Sequence, residues 1–157
     1  MQEDVVTAEK LVHAPAETIF ALLSDATQHP AIDGSGTVKE AKPAAPQHLT
    51  LGASFGMSMK MGIRYSMVST VIEYEENRRI AWQSCPPGLV GRFSGGRIWR
   101  YELEPQEGGT LVRESWDVSQ DHQRFFLRIG RLPDKTLSNM RNTLERIDAI
   151  TAGRTPE

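Results

Sequence analysis

The sequence has a single cysteine, Cys85, among its 157 residues. One thiol excludes an internal disulfide and a zinc site built from several thiolates. No apolar run approaches the ~20 residues that a membrane-spanning helix requires, and residues 1–4 lead into a strand pattern without the basic and apolar stretches of a signal peptide. We therefore expect a cytoplasmic protein in a reducing compartment, with no integral membrane association.

A large excess of charge of either sign is also lacking. The formal net charge is −2, and hydrophobic residues make up 39% of the chain. A general nucleic-acid or anionic-membrane surface needs a basic excess, so we expect neither. One local basic run is interpreted as a solvated helical face. It consists of Arg124, Arg128, Arg131 and Lys135.

One long helix, predicted over residues 133–152, organises the chain. Leu137, Met140, Leu144 and Ile147 recur at alternating gaps of three and four residues, which places them on one narrow stripe. The polar residues of this segment, Asp148 among them, fall mostly on the opposite side. An apolar stripe of this length must be covered by something large, and nearly all the strand-like sequence lies before it.

The segments before the helix predict a sheet. A strand over residues 5–12 precedes a short helix starting at Pro15 and a broken helical turn within residues 25–32. Further strands are predicted from Thr37, over residues 54–62, 65–74 and 79–83, and in a hairpin of residues 97–104 and 110–118. Short turns favour antiparallel pairing. We therefore predict a single α+β domain over residues 1–157, a curved antiparallel sheet of about seven strands (β-α-α-β6-α) wrapped around the C-terminal helix.

Three stretches resemble a known superfamily. They are residues 14–25 (APAETIFALLSD), residues 29–38 (HPAIDGSGTV) and the hairpin 99–117 (WRYELEP and GGTLVRESWD). With the C-terminal helix, they resemble the helix-grip fold of the START/Bet v 1-like superfamily (SRPBCC), in particular its bacterial polyketide cyclase/dehydrase-like branch. The resemblance implies a deep cavity between the concave sheet face and the long helix, suited to a hydrophobic ligand. Because the superfamily includes carriers, receptors, cyclases and co-chaperones, the fold by itself does not decide the function.

Alternating methionines and the aromatic residues of the later strands are the candidate ligand-binding surface. Methionine is flexible and polarizable, and tyrosine and tryptophan add a hydroxyl or an indole N–H that orients a ligand. Plain core packing explains the same pattern equally well. The predicted ligand-binding residues are Phe55, Met57, Met59, Tyr65, Met67, Trp82, Trp99, Tyr101, Glu114, Trp116, Leu137, Met140 and Leu144.

Glu114 is the first candidate for acid–base chemistry, because alternation places it on the face of Val112 and Trp116. A carboxylate on that buried face needs a partner or becomes protonated. A raised pKa would make it a general acid or base, and a hydrogen bond would make it a polar anchor for a ligand. The alternatives are a structural ion pair with Arg64 or Arg100, and a position in solvent.

His29, Asp33 and Tyr65 are the other candidate proton-transfer groups. His29 and Asp33 are four residues apart and would form a histidine–carboxylate pair on one helical turn. Pro30 lies between them, and capping or turn roles explain both residues without catalysis. Cys85 is interpreted as an incidental buried thiol rather than a nucleophile.

Two motif-like patterns are set aside. Residues 52–56 match the G-x-S-x-G pattern of a hydrolase elbow, but Ser54 opens an alternating strand with no helix after it. The histidines lack metal-ligand spacing with one another or with Cys85, so no metal and no cofactor are expected. These histidines are His13, His29, His48 and His122.

Two functional hypotheses remain. The first is the binding or transport of a hydrophobic small molecule (a lipid, a polyketide or an isoprenoid-like compound) between the sheet and the helix. The second is a polyketide cyclase/dehydratase-like enzyme that uses acid–base residues in the same place. A co-chaperone-like module would need an apolar outer sheet face, and polar residues are predicted there instead: Arg97, Arg100, Glu102, Arg113 and Ser115. The sequence leaves a monomer and a homodimer equally open.

Overall fold

The computed structural model describes residues 4–35, 38–41, 48–61 and 63–153. Its strands are β1 (Val5–Val12), β2 (Val38–Ala41), β3 (Ser54–Met61), β4 (Ile63–Glu75), β5 (Arg79–Cys85), β6 (Arg97–Gln106) and β7 (Gly109–Asp117). Its helices are α1 (Ala16–Leu23), α2 (His29–Ile32), α3 (Arg124–Leu127) and α4 (Leu132–Thr151), with 3-10 turns at Ala26–Gln28 and Gly88–Arg92. No helix in these ranges is both long and apolar enough to cross a membrane.

The strands form one antiparallel sheet in the order β1-β7-β6-β5-β4-β3-β2. The predicted α+β helix-grip architecture is thereby confirmed, with seven strands and a long C-terminal helix. From β2 to β7, each strand pairs with the next one in the chain. Strand β1 forms the other edge of the sheet and pairs with β7, from Val5↔Asp117 to Val12↔Thr110. Because side chains alternate along a strand, every second residue of β5, β6 and β7 lies on the side of the sheet that α4 contacts through β1 and β7.

Helix α4 differs from the predicted 133–152 by one residue at each end. Met140, Leu144 and Ile147 are at most 1% exposed, and Leu137 packs against the same core. Gly153, just past the end, adopts a positive φ of 76°, which glycine tolerates without steric cost.

One polar residue of α4 departs from the prediction. Asp148, expected on the solvent side, is 6% exposed and accepts a hydrogen bond from the backbone N–H of His13 at 3.1 Å. The reason is a contact between segments that are distant in the sequence. The connection from β1 to α1 passes over the end of α4, and its backbone N–H needs an acceptor once it leaves water.

The short helices confirm the predicted broken helical segment before β2. Helix α1 buries Ile19, Phe20 and Leu23, and the side chain of Asp25 then caps the 3-10 turn by accepting from the backbone N–H of Thr27 at 3.0 Å. Helix α2 lies against α4, where Arg146 Nε donates to the carbonyl oxygen of Ala31 at 2.9 Å. Both contacts fix the position of α2 over the concave face of the sheet.

Strand boundaries differ from the prediction mainly at the last hairpin. A turn was predicted through residues 105–109, whereas β6 continues to Gln106 and only Glu107 and Gly108 turn the chain. Pro105 pairs with Thr110 near the end of the ladder, where a missing N–H costs little. Residues 42–47 and the side chains of Met61 and Arg64 lie outside the described residues.

The convex face of the sheet carries ion pairs. Arg100 Nη2 lies 2.6 Å from Glu73 Oε2 and Arg100 Nη1 lies 3.5 Å from Asp117 Oδ2. Arg79 pairs with Glu102 at 3.1 Å. Arg113 pairs with Glu9 in the same way at 2.8 Å. The bond from Arg100 lowers the pKa of Glu73. This part of the outer face is polar, as predicted, and Ser115 is buried there against Thr7.

Gly34 marks the closest approach of the α2 segment to α4. Its N–H donates to Thr143 Oγ1 at 2.8 Å, and a Cβ added to it would lie 2.6 Å from the carbonyl oxygen of Asn139 and would also overlap the backbone N of Thr143. We expect Gly34→Ala to lower the free energy of unfolding by about 1 to 3 kcal/mol, because helix backbone cannot yield to the added methyl. Urea denaturation measures this loss.

Gly108→Ala is the comparison variant for Gly34→Ala. A Cβ at Gly108 meets open space, although its φ of 87° is unfavourable for alanine. We expect a loss of about 1 kcal/mol there, from backbone strain alone. A Gly34→Ala protein as stable as the unmodified chain would show that α2 does not pack against α4 in this way.

Candidate functional site

The centre of the candidate site is a hydrogen-bonded pair on the concave face. Tyr101 of β6 and Glu114 of β7 stand opposite each other in the hairpin register. The hydroxyl of Tyr101 donates to Glu114 Oε1 at 2.8 Å, and the two residues are 4% and 3% exposed. The second carboxyl oxygen, Glu114 Oε2, is buried and has no hydrogen-bond partner within the described part of the chain.

This geometry excludes two of the alternatives for Glu114, a position in solvent and an ion pair with Arg100, while the side chain of Arg64 lies outside the described residues. The carboxyl group faces the interior, as alternation predicts, and is not in solvent. Arg100 is not its partner, because Arg100 belongs to the convex face and pairs with Glu73. The interpretation of an ion pair with Arg100 is therefore wrong. The reason is the strand alternation that separates residue 100 from residue 101.

Burial, opposed by the hydrogen bond from Tyr101 and assisted by the charge of Asp33, raises the pKa of Glu114 to about 8. The carboxyl group is therefore mostly neutral at pH 7. Oε1 already accepts from Tyr101, so the proton belongs on Oε2, which becomes a donor. Burial, and next the charge of Glu114, raise the pKa of Tyr101 well above its ordinary value, which keeps its hydroxyl protonated.

Aromatic rings extend this site from β6 to α2. The ring of His29 stacks on Trp82 with centroids 4.7 Å apart and meets the edge of Phe55 at 5.1 Å. Trp82 in turn lies 5.7 Å from Phe55 and 5.5 Å from Tyr101. Phe55, Trp82 and Tyr101 come from three different strands, so the aromatic group depends on the sheet order.

His29 is 7% exposed and lies 2.9 Å, through Nε2, from the carbonyl oxygen of Leu23. Burial lowers its pKa to about 4, so the ring is neutral at pH 7. The carbonyl partner requires the proton on Nε2, which leaves Nδ1 as an acceptor.

The predicted His29–Asp33 pair is wrong. The described contacts of the His29 ring are with Leu23, Trp82 and Phe55, while the carboxylate of Asp33 accepts from Ser35. Helix α2 ends at Ile32 and Asp33 takes an extended conformation, so the four-residue spacing does not bring the two side chains together. Asp33 still lies close enough for its charge to raise the pKa values of Glu114, Tyr101 and His29.

Tyr65 does not join this group. It stands opposite Met59 near the tip of the β3–β4 hairpin and is 37% exposed. Three strand spacings separate β4 from β7, roughly 14 Å, and the residue of β4 in line with Tyr101 through Ile80 is Tyr74. Met57 stands opposite Met67 in the same hairpin. These residues extend the surface toward the sheet edge, away from Glu114.

The remaining candidates are part of the hydrophobic core. Trp99 and Trp116 face each other across the last hairpin with ring centroids 6.4 Å apart. Met140 and Leu144 of α4 are 1% exposed and belong to one cluster with the strand residues, while Leu137 and Met59 pack on its margin. The surface predicted to bind a ligand and the core of the domain are therefore built from the same side chains.

Two pockets of about 300 Å³ are lined by described residues, and neither Glu114 nor Tyr101 is among them. One is lined by charged residues of two hairpin ends, including Arg78 and Glu104. The other lies beside Cys85, Pro86 and Pro87. Burial raises the pKa of the Cys85 thiol, which leaves less of the nucleophilic thiolate.

The remaining motif-like residues show no catalytic arrangement. Ser54 opens β3 with its Oγ 2.9 Å from Thr70 Oγ1. Over the described ranges, no three His, Cys, Asp or Glu side chains are grouped as metal ligands.

Tyr101 was predicted as a ligand-binding residue, but its hydrogen bond to Glu114 was not predicted. The signal was available. Once Trp99 is paired with Trp116 across a short turn, Tyr101 necessarily stands opposite Glu114. Because a buried carboxyl group needs a hydrogen-bond partner, the hairpin register alone predicts a hydrogen bond from the tyrosine to the glutamate.

The sheet order and the long C-terminal helix define a helix-grip domain of the START/Bet v 1-like superfamily. The model of the family described as "Polyketide cyclase / dehydrase and lipid transport" matches residues 4–148, so the chain belongs to that family. Two uncharacterized Mycobacterium tuberculosis proteins, Rv0088 and MT0096, are 35% and 34% identical to it over 108 residues. Each match covers 68% of this chain and 44% of the relative, so the chain spans less than half the length of these relatives.

Solved structures show the same fold at low sequence identity. An Arthrobacter aurescens protein superposes with a TM-score of 0.73 at 16% identity, covering 96% of this chain and 87% of that one. A Mycobacterium smegmatis protein, Ms6760, gives 0.69 at 15% identity, with 96% and 92% covered. DynU16, a protein in the dynemicin biosynthetic locus, gives 0.68 at 15% identity, covering 99% of this chain and 50% of that one.

Proposed function

We propose that the protein binds a hydrophobic small molecule that carries a carbonyl group, on the concave face beside Glu114. The observation that carries this proposal is Glu114 Oε2, a buried carboxyl oxygen without a partner in the described structure. Family membership supports a ligand of polyketide, lipid or isoprenoid type. The aromatic rings of Trp82, Tyr101 and Phe55 supply apolar contact area around the polar group.

A carbonyl ligand follows from the direction of the hydrogen bonds. With Oε1 accepting from Tyr101, the neutral Glu114 presents an O–H that lacks an acceptor. A buried polar group left unpaired costs about 1 to 3 kcal/mol. A ligand carbonyl removes that cost when it binds, whereas a ligand O–H has only the weaker acceptor capacity of the neutral acid.

Two matched probes test this proposal. We expect 1-acetylnaphthalene to bind more tightly than 1-ethylnaphthalene, which has the same ring and lacks the carbonyl, by roughly tenfold. Isothermal titration calorimetry measures both affinities. In the Glu114→Gln protein the amide N–H replaces the donor and the preference should persist, whereas Glu114→Met should abolish it.

Native mass spectrometry of the protein from its own host supplies an independent test. A bound hydrophobic molecule that raises the melting temperature when added back supports the proposal. A persistently empty protein that binds neither naphthalene probe contradicts it. A carbonyl preference that survives in the Glu114→Met protein would show that another group makes the contact.

A second candidate function is a cyclase/dehydratase-like activity on a polyketide-like substrate. The specific observation in its favour is the pKa of Glu114, about 8, which is close to working pH as general acid–base catalysis requires. Mass spectrometry of a β-polyketone incubated with the protein distinguishes this function from binding. An enzyme converts the substrate by loss of water and loses this conversion in Glu114→Gln, whereas a carrier returns it unchanged.

A further inference from the structure

Four large apolar side chains are exposed together before α4. Phe93, Phe125, Phe126 and Ile129 are 75%, 71%, 69% and 50% exposed, and we name them the aromatic patch. The rings of Phe125 and Phe126 meet edge to face with centroids 5.9 Å apart. An exposed group of this size on a soluble domain marks an interaction surface.

The aromatic patch is held together by hydrogen bonds between two segments. Gln123 Oε1 accepts from the backbone N–H of Gly95 at 2.8 Å and from the hydroxyl of Ser94 at 3.2 Å. Gln123 Nε2 donates to the carbonyl oxygen of Phe93 at 3.3 Å. The backbone N–H of His122 also donates to Gly95. The loop before β6 and helix α3 therefore present one continuous surface.

Basic residues lie in the same chain segment as three members of the aromatic patch. Residues 121–135 contain four Lys or Arg and two Asp, although the whole chain has a net charge of −2. Arg124, Arg131 and Lys135 are exposed. Of the two acids, Asp121 is buried and paired with Arg97 at 3.3 Å, and Asp134 is exposed. The overall charge therefore conceals a local basic excess, in the run interpreted from the sequence as a solvated helical face.

We infer that the aromatic patch docks on the surface of an anionic lipid bilayer. Phenylalanine side chains enter the boundary between headgroups and acyl chains, and flanking cations are attracted to acidic headgroups. A second copy of the chain fits the aromatic patch less well than an anionic bilayer does. A two-fold contact brings the same surface of both copies together, and would collect the cations Arg124, Arg131 and Lys135 of both copies in one interface.

Co-sedimentation of the full chain with vesicles tests this inference. We expect binding to vesicles of phosphatidylcholine and phosphatidylglycerol in equal amounts, and little binding to phosphatidylcholine alone. The Phe125→Ser/Phe126→Ser protein should bind at least tenfold more weakly. Each of Arg124→Gln, Arg131→Gln and Lys135→Gln should weaken binding roughly fivefold, and added salt should weaken the unmodified protein.

Matched control variants lie elsewhere on the surface. Ile63→Ser removes an apolar side chain that is 77% exposed, and Arg141→Gln removes an exposed cation of α4. Both should bind like the unmodified protein. Failure to bind anionic vesicles overturns the inference, as does equal loss in the controls. A dimer in size-exclusion chromatography that Phe125→Ser/Phe126→Ser abolishes, without vesicle binding, assigns the patch to a second copy instead.

Discussion

Trp82→Ala is expected to lower the free energy of unfolding by about 3 to 5 kcal/mol. Trp82 is 8% exposed and contacts His29, Phe55 and Tyr101, so its removal leaves a cavity among rings that come from separate elements. Rigid strand backbones limit how far the site can collapse. Urea denaturation followed by circular dichroism measures the loss.

A second readout ties this loss to the candidate site. Burial holds the pKa of His29 at about 4. Water that enters the space left by Trp82 should raise this pKa toward 6.5, which NMR titration detects. Trp99→Ala is the matched comparison, because Trp99 is only partly buried and packs mainly on Trp116. An equal loss of stability in the two proteins would contradict the central position of Trp82.

Glu114→Gln is expected to become more stable relative to the unmodified protein as the pH rises. The folded pKa of Glu114 is about 8, above the ordinary value of 4.5. Between these two values the folded state binds a proton that the unfolded state has released, so stability falls with pH. One proton corresponds to about 1.4 kcal/mol for each pH unit. The glutamine protein lacks this proton and its contribution to the slope.

The comparison of the Glu114→Gln protein with the unmodified protein separates the contribution of Glu114 to the pH dependence of stability from that of His29. His29 has a lowered pKa, so its contribution is fully present above pH 6.5 and is lost as the pH falls toward 4. That slope has the opposite sign and is common to both proteins. Thermal denaturation across pH 5 to 9 gives the difference, which should level off above about pH 8. Glu104→Gln, at an exposed position, should leave the slope unchanged.

A difference between the Glu114→Gln protein and the unmodified protein that does not change with pH would contradict the burial of Glu114. The pH-independent part of the difference reflects the amide N–H groups that glutamine buries in place of Oε2. The change of the stability difference with pH therefore reports the protonation of Glu114, and its pH-independent part reports the packing around that side chain. The two are separable because only the slope involves proton release.

The fold was predictable because its signals are local and repeated. The three-and-four spacing in α4 and the alternation in β3, β6 and β7 depend only on which side of an element faces water. Those patterns predicted α4 to within one residue and the inward face of Glu114. Asp148 was misplaced because its burial depends on the connection after β1, which no periodicity within α4 encodes.

The site was predictable only in part, because pairs between elements depend on register and on where helices end. The inward position of Glu114 was predicted correctly, but its partner Tyr101 required the hairpin register. His29 and Asp33 were paired on the assumption of a continuous helical turn, which ends at Ile32. Tyr65 was grouped with them by residue type alone, and the sheet order places it several strands away.

The amino-acid sequence by itself determined the helix-grip architecture, since each apolar stripe and alternating strand leaves one way to remove its surface from water. Only the tertiary structure decided that Glu114 meets Tyr101, that His29 lies on Trp82, and that Gln123, two residues before Phe125, donates to the carbonyl oxygen of Phe93. Backbone periodicity is set within a few residues. Contacts between side chains from different elements arise only when the whole sheet has closed on its helix.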